Sequence, residues 1–305
     1  MTYTILTGEY AYSSWSMRGW LMLDAFGIEH RTRAVPMYSD AFDEMRETYF
    51  PARTVPTLLI AEGEAERVLW DSLAIAETLA ERHPQAGHWP AETGARIAAR
   101  ALAAEMHSGF AALRGRPSMN LRARYQGFEP NEAELADVAR IESLWEWALS
   151  HSGGPFLCGA DFGAVDAMYA PVATRLVTYG FEVGQTALEY VAAIYAHPSF
   201  RRWHAMADAE QRVIERYHLS LPEVDNAAPP RRPVLPARHH EGETGDAINA
   251  NCPYSGAPIA ADSLAEIDGR IVGFCNPFCC RKSIADAEAW PKLMALLGEE
   301  MEAAR

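Results

Sequence analysis

The stretch Thr54-Val55-Pro56-Thr57-Leu58-Leu59-Ile60-Ala61-Glu62-Gly63-Glu64-Ala65-Glu66-Arg67-Val68-Leu69-Trp70-Asp71-Ser72-Leu73-Ala74-Ile75 decides the fold of the first part of the chain. Thr57–Ile60 and Arg67–Trp70 are short apolar runs on either side of an acidic, Gly-containing turn, which reads as a hairpin. Asp71-Ser72 supplies cap side chains for a helix whose apolar face is Leu73, Ile75, Ala76 and Leu79. Upstream, Tyr3–Gly8 reads as a strand. Met17–Phe26 reads as a helix with Trp20, Leu21, Leu23 and Phe26 at helical spacing, stopped by Gly27. Arg31–Val35 is a second short strand, and a polar helix follows around Asp40–Tyr49. The order βαβ-αββα predicts a compact α/β domain over residues 1–85.

Downstream the pattern becomes helix after helix, and an all-α domain is expected over residues 86–222. Its helices are expected at Ile97–Leu113, Glu132–Leu149, Ala164–Tyr179, Ala187–Tyr195 and Phe200–Tyr217, separated by Gly and Pro breaks. Residues 223–250 hold Pro229, Pro230, Pro233 and Pro236 without periodicity, so a linker is expected there. Residues 251–305 have their own turn signals and read as a small α+β module.

Composition narrows the function classes. The 305 residues are 49% hydrophobic and 22% charged, as in folded globular proteins. The net charge is −14, from 41 acidic and 27 basic side chains. That balance disfavours a broad nucleic-acid or anionic-membrane surface, so no nucleic-acid or membrane partner is expected. No apolar run approaches the ~18–20 residues that cross a bilayer. The first residues lack a basic and apolar leader pattern, which leads to the expectation of a cytoplasmic protein.

Three local motifs carry the chemistry: Tyr12-Ser13-Ser14-Trp15-Ser16-Met17-Arg18, Thr54-Val55-Pro56-Thr57 and Asp71-Ser72-Leu73-Ala74-Ile75. In this order, ahead of a helical domain, the chain resembles the cytosolic glutathione S-transferase family, serine-type, over about residues 1–220. The segment Phe156–Ala167 resembles the family's helical-domain signature, with Gly163 where a Ser or Thr cap is usual. The resemblance implies a thioredoxin-like domain joined to an all-α domain, glutathione as co-substrate, a small electrophilic second substrate, a homodimer and a role in detoxification.

It also implies site residues. A hydroxyl in the turn after the first strand can donate to a sulfur and favour its thiolate. Its distance to Arg18 picks Ser14, with Ser13 close behind; the plainer reading is that both are turn and cap residues. Val55-Pro56 resembles a cis-proline turn that offers the Val55 N–H and C=O to the ligand backbone. Asp71 and Ser72 open a helix, where free N–H groups and the positive dipole end suit a carboxylate. Met106, His107 and Phe110 are expected to line the second-substrate pocket, with His107 able to exchange a proton near neutral pH. The implied reaction is addition of glutathione thiolate to an electrophile. The alternatives are a glutathione-dependent isomerase of the maleylacetoacetate type, or a non-catalytic glutathione- or metal-binding adaptor.

Four of the five cysteines fall in the last 54 residues, spaced C-x22-C-x3-C-C. Leu264–Ile267 and Arg270–Phe274 flank Asp268-Gly269, a strong hairpin signal. The hairpin returns the chain toward Cys252, while Cys275 and Cys279 stand one helical turn apart. Cys252, Cys275 and Cys279 can therefore converge on one ion, and three thiolates favour zinc or copper over hard cations. The pattern resembles small treble-clef (TRASH-like) metal modules, with Ser255 where a second knuckle cysteine would stand. Reduced thiols in a docked module are the plainer alternative. His239 and His240 are candidates for a fourth ligand if the linker folds back.

Overall fold

A computed structural model describes residues 1–224 and 235–303, and side chains up to residue 298. The chain divides into two compact units: Met1–Phe200 with Val213–Pro229, and Arg201–Arg212 with Pro230–Arg305.

The first unit begins as the sequence predicts, with β1 (Thr2–Thr7), α1 (Ser14–Asp24), β2 (Arg31–Ala34), α2 (Asp40–Thr48), β3 (Thr57–Glu62), β4 (Ala65–Trp70) and α3 (Ser72–Arg82). The sheet order is β2-β1-β3-β4, with β1 parallel to β2 and antiparallel to β3. Alternation along β1 sends successive side chains to opposite faces. Leu6 packs with Val35, Met45, Val55 and Leu59 in a core closed by Phe42 and Tyr49. Ile5 turns to the α1 side, where a Cβ on Gly19 would lie 2.6 Å from Pro56 and 3.3 Å from the Ile5 Cδ1. Only glycine permits that approach of α1 to the Val55-Pro56 turn. Helix α1 starts three residues earlier than predicted, with Ser13 as its cap.

The helical part comprises α4 (Thr93–Ser108), α5 (Ala111–Gly115), α6 (Glu132–Ser152), α7 (Ala164–Tyr179), α8 (Gln185–Ala196) and α9 (Pro198–Ala209). The single helix expected over Ile97–Leu113 is two helices. Gly109 ends α4 in an extended conformation, and Phe110 adopts φ 58°, ψ 42°, a left-handed geometry that redirects the chain into α5. The almost wholly buried α7 keeps its N-terminus despite Gly163, because Asp166 reaches back. Its carboxylate accepts the N–H of Gly163 at 2.8 Å and of Leu157 at 3.0 Å, and the Tyr190 hydroxyl at 2.9 Å. That arrangement supplies half of a capping box without a hydroxyl cap.

The helix expected over Phe200–Tyr217 ends at Ala209, and Glu215–Tyr217 is a separate 3₁₀ turn. From Arg201 to Arg212 the chain belongs to the second unit.

In that second unit, β5 (Ala237–His239), β6 (Leu264–Ile267) and β7 (Arg270–Gly273) form an antiparallel sheet in that order, followed by α10 (Pro277–Ala285) and α11 (Pro291–Ala303). The stretch expected to be linker thus contributes an edge strand, while residues 225–234 lie outside the described residues. Leu264, Ala265, Ile267, Val272, Phe274, Leu293 and Leu297 are buried as its core. Arg201 forks onto Asp286 at 2.7–2.8 Å, largely buried on both sides, and Arg281 donates to the Ala209 carbonyl. These contacts give α9 its place in the unit.

Candidate active site

The turn after β1 places two adjacent serines in different situations. Ser13 is buried and committed: its hydroxyl donates to Ser16 Oγ at 2.7 Å and accepts the Ser16 N–H at 3.3 Å as the α1 N-cap. Ser16 Oγ also accepts the Gly8 N–H at 2.9 Å, which locks the turn. Ser14 is the first helical residue and half-buried, and none of the described residues hydrogen-bonds its hydroxyl. Arg18, one turn later, donates to the Ser14 carbonyl at 3.3 Å and to the Met168 carbonyl at 2.8 Å. Its guanidinium is fully buried, Nη2 has no partner among the described residues, and burial beside Arg175 and Arg114 pushes its pKa well below the usual arginine value. The guanidiniums of Arg18 and Arg114 lie 4.4 and 4.7 Å from the Trp15 ring centre. Ser14 therefore sits at a helix N-terminus within an electropositive corner, suited to an anionic sulfur.

The second and third motifs meet the same unit. The Val55–Pro56 bond is cis, as is Phe50–Pro51 five residues earlier, and Val55 is buried. Asp71 caps α3, its Oδ1 accepting the Leu73 N–H at 2.8 Å. It does so at φ 71°, ψ 139°, where a non-glycine residue is costly by about 1–3 kcal/mol and is held by its surroundings. One such surrounding is His107 of α4, whose Nε2 lies 2.9 and 2.8 Å from the two Asp71 carboxylate oxygens. Ser72 is 1% exposed, and its buried hydroxyl has no hydrogen-bond partner among the described residues. The arrangement offers a carboxylate, an unsatisfied hydroxyl and helix N–H groups at one point.

The expected second-substrate residues separate. His107 is half-buried and faces Asp71, with the Trp15 ring 5.4 Å from its own. Met106 is wholly buried on the other side of α4, and Phe110 is 7% exposed at the α4–α5 bend. Met106 thus belongs to the core rather than to a pocket wall. Side chains projecting from successive positions of a helix diverge by about 100°, so Met106 can turn into the core while His107 faces Asp71.

In the second unit, Cys252, Cys275 and Cys279 bring their sulfurs within 4.8 Å of one another. Cys252 opens a tight turn in which its N–H donates to Ala257 and its carbonyl accepts from Gly256. Burial opposes its ionisation, but the backbone N–H groups of Ser255, Cys275 and Tyr254 reverse this and bring the thiol down to about 7. Cys275 receives the Ser255 hydroxyl at 3.3 Å and the Asn276 amide at 3.2 Å, and its sulfur lies 4.0 Å from that of Cys279. Asn276 caps α10 through the Cys279 N–H at 2.9 Å, which fixes Cys279 in the first turn. Cys280 points elsewhere: it is buried and donates to the Leu264 carbonyl at 3.4 Å. His239 faces the Asp262 carbonyl and His240 faces Asp246, so neither joins the three thiols.

Residues 12–82 match the family model for the glutathione S-transferase N-terminal domain. A probable maleylacetoacetate isomerase of Caenorhabditis elegans is 26% identical over 200 residues, covering 62% of this chain and 91% of the relative. A glutathione transferase homologue from Burkholderia gl BGR1, solved with bound glutathione, superposes with a TM-score of 0.51 at 26% identity, covering 67% of this chain and 96% of that one. A maleylacetoacetate isomerase from Anaeromyxobacter dehalogenans, solved with glutathione in the active site, shares the fold at 23% identity and a TM-score of 0.51, covering 72% and 98%. The thioredoxin-like α/β domain with its helical continuation is the glutathione transferase fold.

Within this transferase fold, sequence reasoning missed a second polar cluster. The Tyr12 hydroxyl meets Arg122 and lies 3.0 Å from His218 Nε2, while the Tyr12 and Tyr217 rings stack at 5.1 Å. His218 is 3.5 Å from Glu223, and the Leu219 N–H donates to the Tyr125 hydroxyl. The segment after residue 213 therefore lies over the turn that carries the serines. No local pattern announces it, because its partners are some 200 residues apart in sequence.

Proposed function

We infer that the chain is a glutathione-dependent enzyme of the transferase type, in which the Ser14 hydroxyl stabilises a glutathione thiolate that attacks an electrophilic carbon. The observation that carries this reading is the uncommitted Ser14 hydroxyl at the α1 N-terminus, in the unit that also presents Asp71, Ser72 and the Val55 turn. In the reaction, a sulfur–carbon bond forms while the electrophile releases its leaving group or takes up a proton. Val55 pairs with the cysteinyl backbone, the Ser72 N–H and hydroxyl hold the γ-glutamyl carboxylate, and Asp71 faces the ammonium. Ser13 is the runner-up donor, its hydroxyl already spent on the helix cap. The test is a thiol-conjugation assay with an aryl halide. Ser14→Ala should lower turnover by up to ~10²-fold with little change in glutathione binding, as for loss of one donor to a developing anion. Full turnover in Ser14→Ala together with loss in Ser13→Ala would transfer the role to Ser13.

A second reading is glutathione-dependent isomerisation, favoured by the probable isomerase among the relatives. An electrophile panel run with and without glutathione, scored for adducts against rearranged product, separates the two. A cytoplasmic homodimer serving detoxification is part of the same proposal and is supported by the family resemblance. Light scattering at micromolar concentration tests it, the 33.7 kDa of one chain being the adverse outcome.

For the second unit, the convergence of Cys252, Cys275 and Cys279 supports a metal centre of soft or borderline character, zinc or copper. Elemental analysis of chain purified under reducing conditions tests it. A metal-free protein that a chelator leaves equally stable would return these residues to plain buried thiols.

A further inference from the structure

We propose that the ion held by Cys252, Cys275 and Cys279 completes its coordination with a thiol from outside the chain, and that glutathione is that thiol. This rests on the metal reading of the second unit. Zinc in structural sites is held by four protein ligands, whereas sites with three keep a position for an exchangeable group. Here the soft donors run out at three. Cys280 is turned to the Leu264 carbonyl, and the Ser255 hydroxyl, which occupies the place of a second knuckle ligand, donates to Cys275 instead of accepting a metal. The histidines described in this unit are engaged elsewhere: His204 with Asp208, His239 with Asp262, His240 with Asp246.

The open position has a direction. Cys252 is 2% exposed, while Cys275 and Cys279 are half-buried and Asn276 and Pro277 between them are exposed. An incoming ligand therefore approaches across the Cys275-Asn276-Pro277 corner rather than past Cys252. Three sulfur donors make the ion soft, and a soft ion prefers a fourth sulfur to water. The extra negative charge meets hydrogen-bond donors already aimed at the cluster from Ser255 and Asn276. Glutathione is the thiol that the first unit is built to receive. The step is a ligand exchange: bound water leaves, the sulfur–metal bond forms and the thiol proton passes to solvent. No oxidant is required.

The experiment uses the full chain loaded with cobalt(II), whose sulfur-to-metal charge-transfer absorption counts the thiolates. Adding glutathione should raise that absorption by roughly one third, three sulfurs becoming four, and the rise should saturate. S-methylglutathione, which cannot offer a thiolate, should produce no rise. The change should persist in Asp71→Ala, which separates it from binding in the first unit. A four-sulfur spectrum before any thiol is added, lost in Cys280→Ser, overturns the proposal and leaves the metal centre standing. So does a three-sulfur spectrum that glutathione does not alter. Failure to take up cobalt or zinc at all removes the metal reading itself, and this inference with it.

Discussion

The two units use polar side chains in opposite ways. In the first, stability rests on a large apolar core and on buried caps such as Asp166, while Ser14, Asp71 and Ser72 sit at helix ends. In the second, a short sheet and α10 surround three thiols, so the reactive cluster is also part of the framework. A small module has little apolar surface to bury and gains from a metal staple. A larger unit can spare its helix ends for ligands. On the proposed readings, function and folding are separable in the first unit and joined in the second.

The largest effect expected from this difference concerns Asp166, remote from the serines. Asp166→Ala strands the buried Leu157 N–H and Tyr190 hydroxyl and the part-buried Gly163 N–H. Unsatisfied buried donors cost about 1–3 kcal/mol each before relaxation, so a loss on the order of 3–4 kcal/mol is expected by denaturant titration. Burial pushes the Asp166 carboxyl up to about 6, against those donors. Its folded pKa then exceeds its unfolded value, so the folded state binds more protons between roughly pH 4 and 6. This group's contribution to stability should grow as pH falls through that window and be least above pH 6. Asp166→Asn should flatten that slope; an unchanged slope would assign it to other groups.

The next effect tests the second unit. If its thiols hold an ion present at a hundredfold excess over its dissociation constant, binding adds about 2.7 kcal/mol to the unit's stability. A chelator should then lower that unit's thermal midpoint by ~10–20 °C, since about 1 kcal/mol moves a 60–100-residue domain by 4–8 °C. The first unit's transition should stay in place. Equal shifts in both transitions would break the contrast drawn between them.

Much of this division was legible in the sequence, and the reasons for the remainder are physical. The α/β order, the serine turn and the Asp71 cap are local signals, carried by caps and period-2 runs within a few residues. The cysteine triplet was readable because Asp268-Gly269 forces a hairpin and four-residue spacing makes one helical turn. By contrast, β5 is three residues long and borders a proline-rich stretch, too short for alternation to show. The break at Gly109-Phe110 lay hidden in a helical composition, since a left-handed Phe leaves no pattern. Neither the burial of Arg18 nor the reach of His107 to Asp71 has a local signature, because both depend on which helices meet.

The smallest effect is the one that asks whether the α3 end is a ligand anchor or only a cap. Asp71 does two structural things: its Oδ1 caps Leu73, and its carboxylate receives His107. Replacing it with alanine removes both, so a change in that variant alone has two explanations. Asp71→Asn keeps an oxygen for the Leu73 N–H, and asparagine tolerates positive φ better than most residues, so the helix start should survive. What it loses is the negative charge that the proposed anchor offers to the glutathione ammonium. The apparent glutathione KM should rise about tenfold, or about 1.4 kcal/mol, with kcat nearly unchanged, the pattern of lost uniform binding. The thermal midpoint should move little. Normal KM in Asp71→Asn would make this helix end a structural cap, and the first unit's separation of function from folding would fail at the residue where it is most exposed to test.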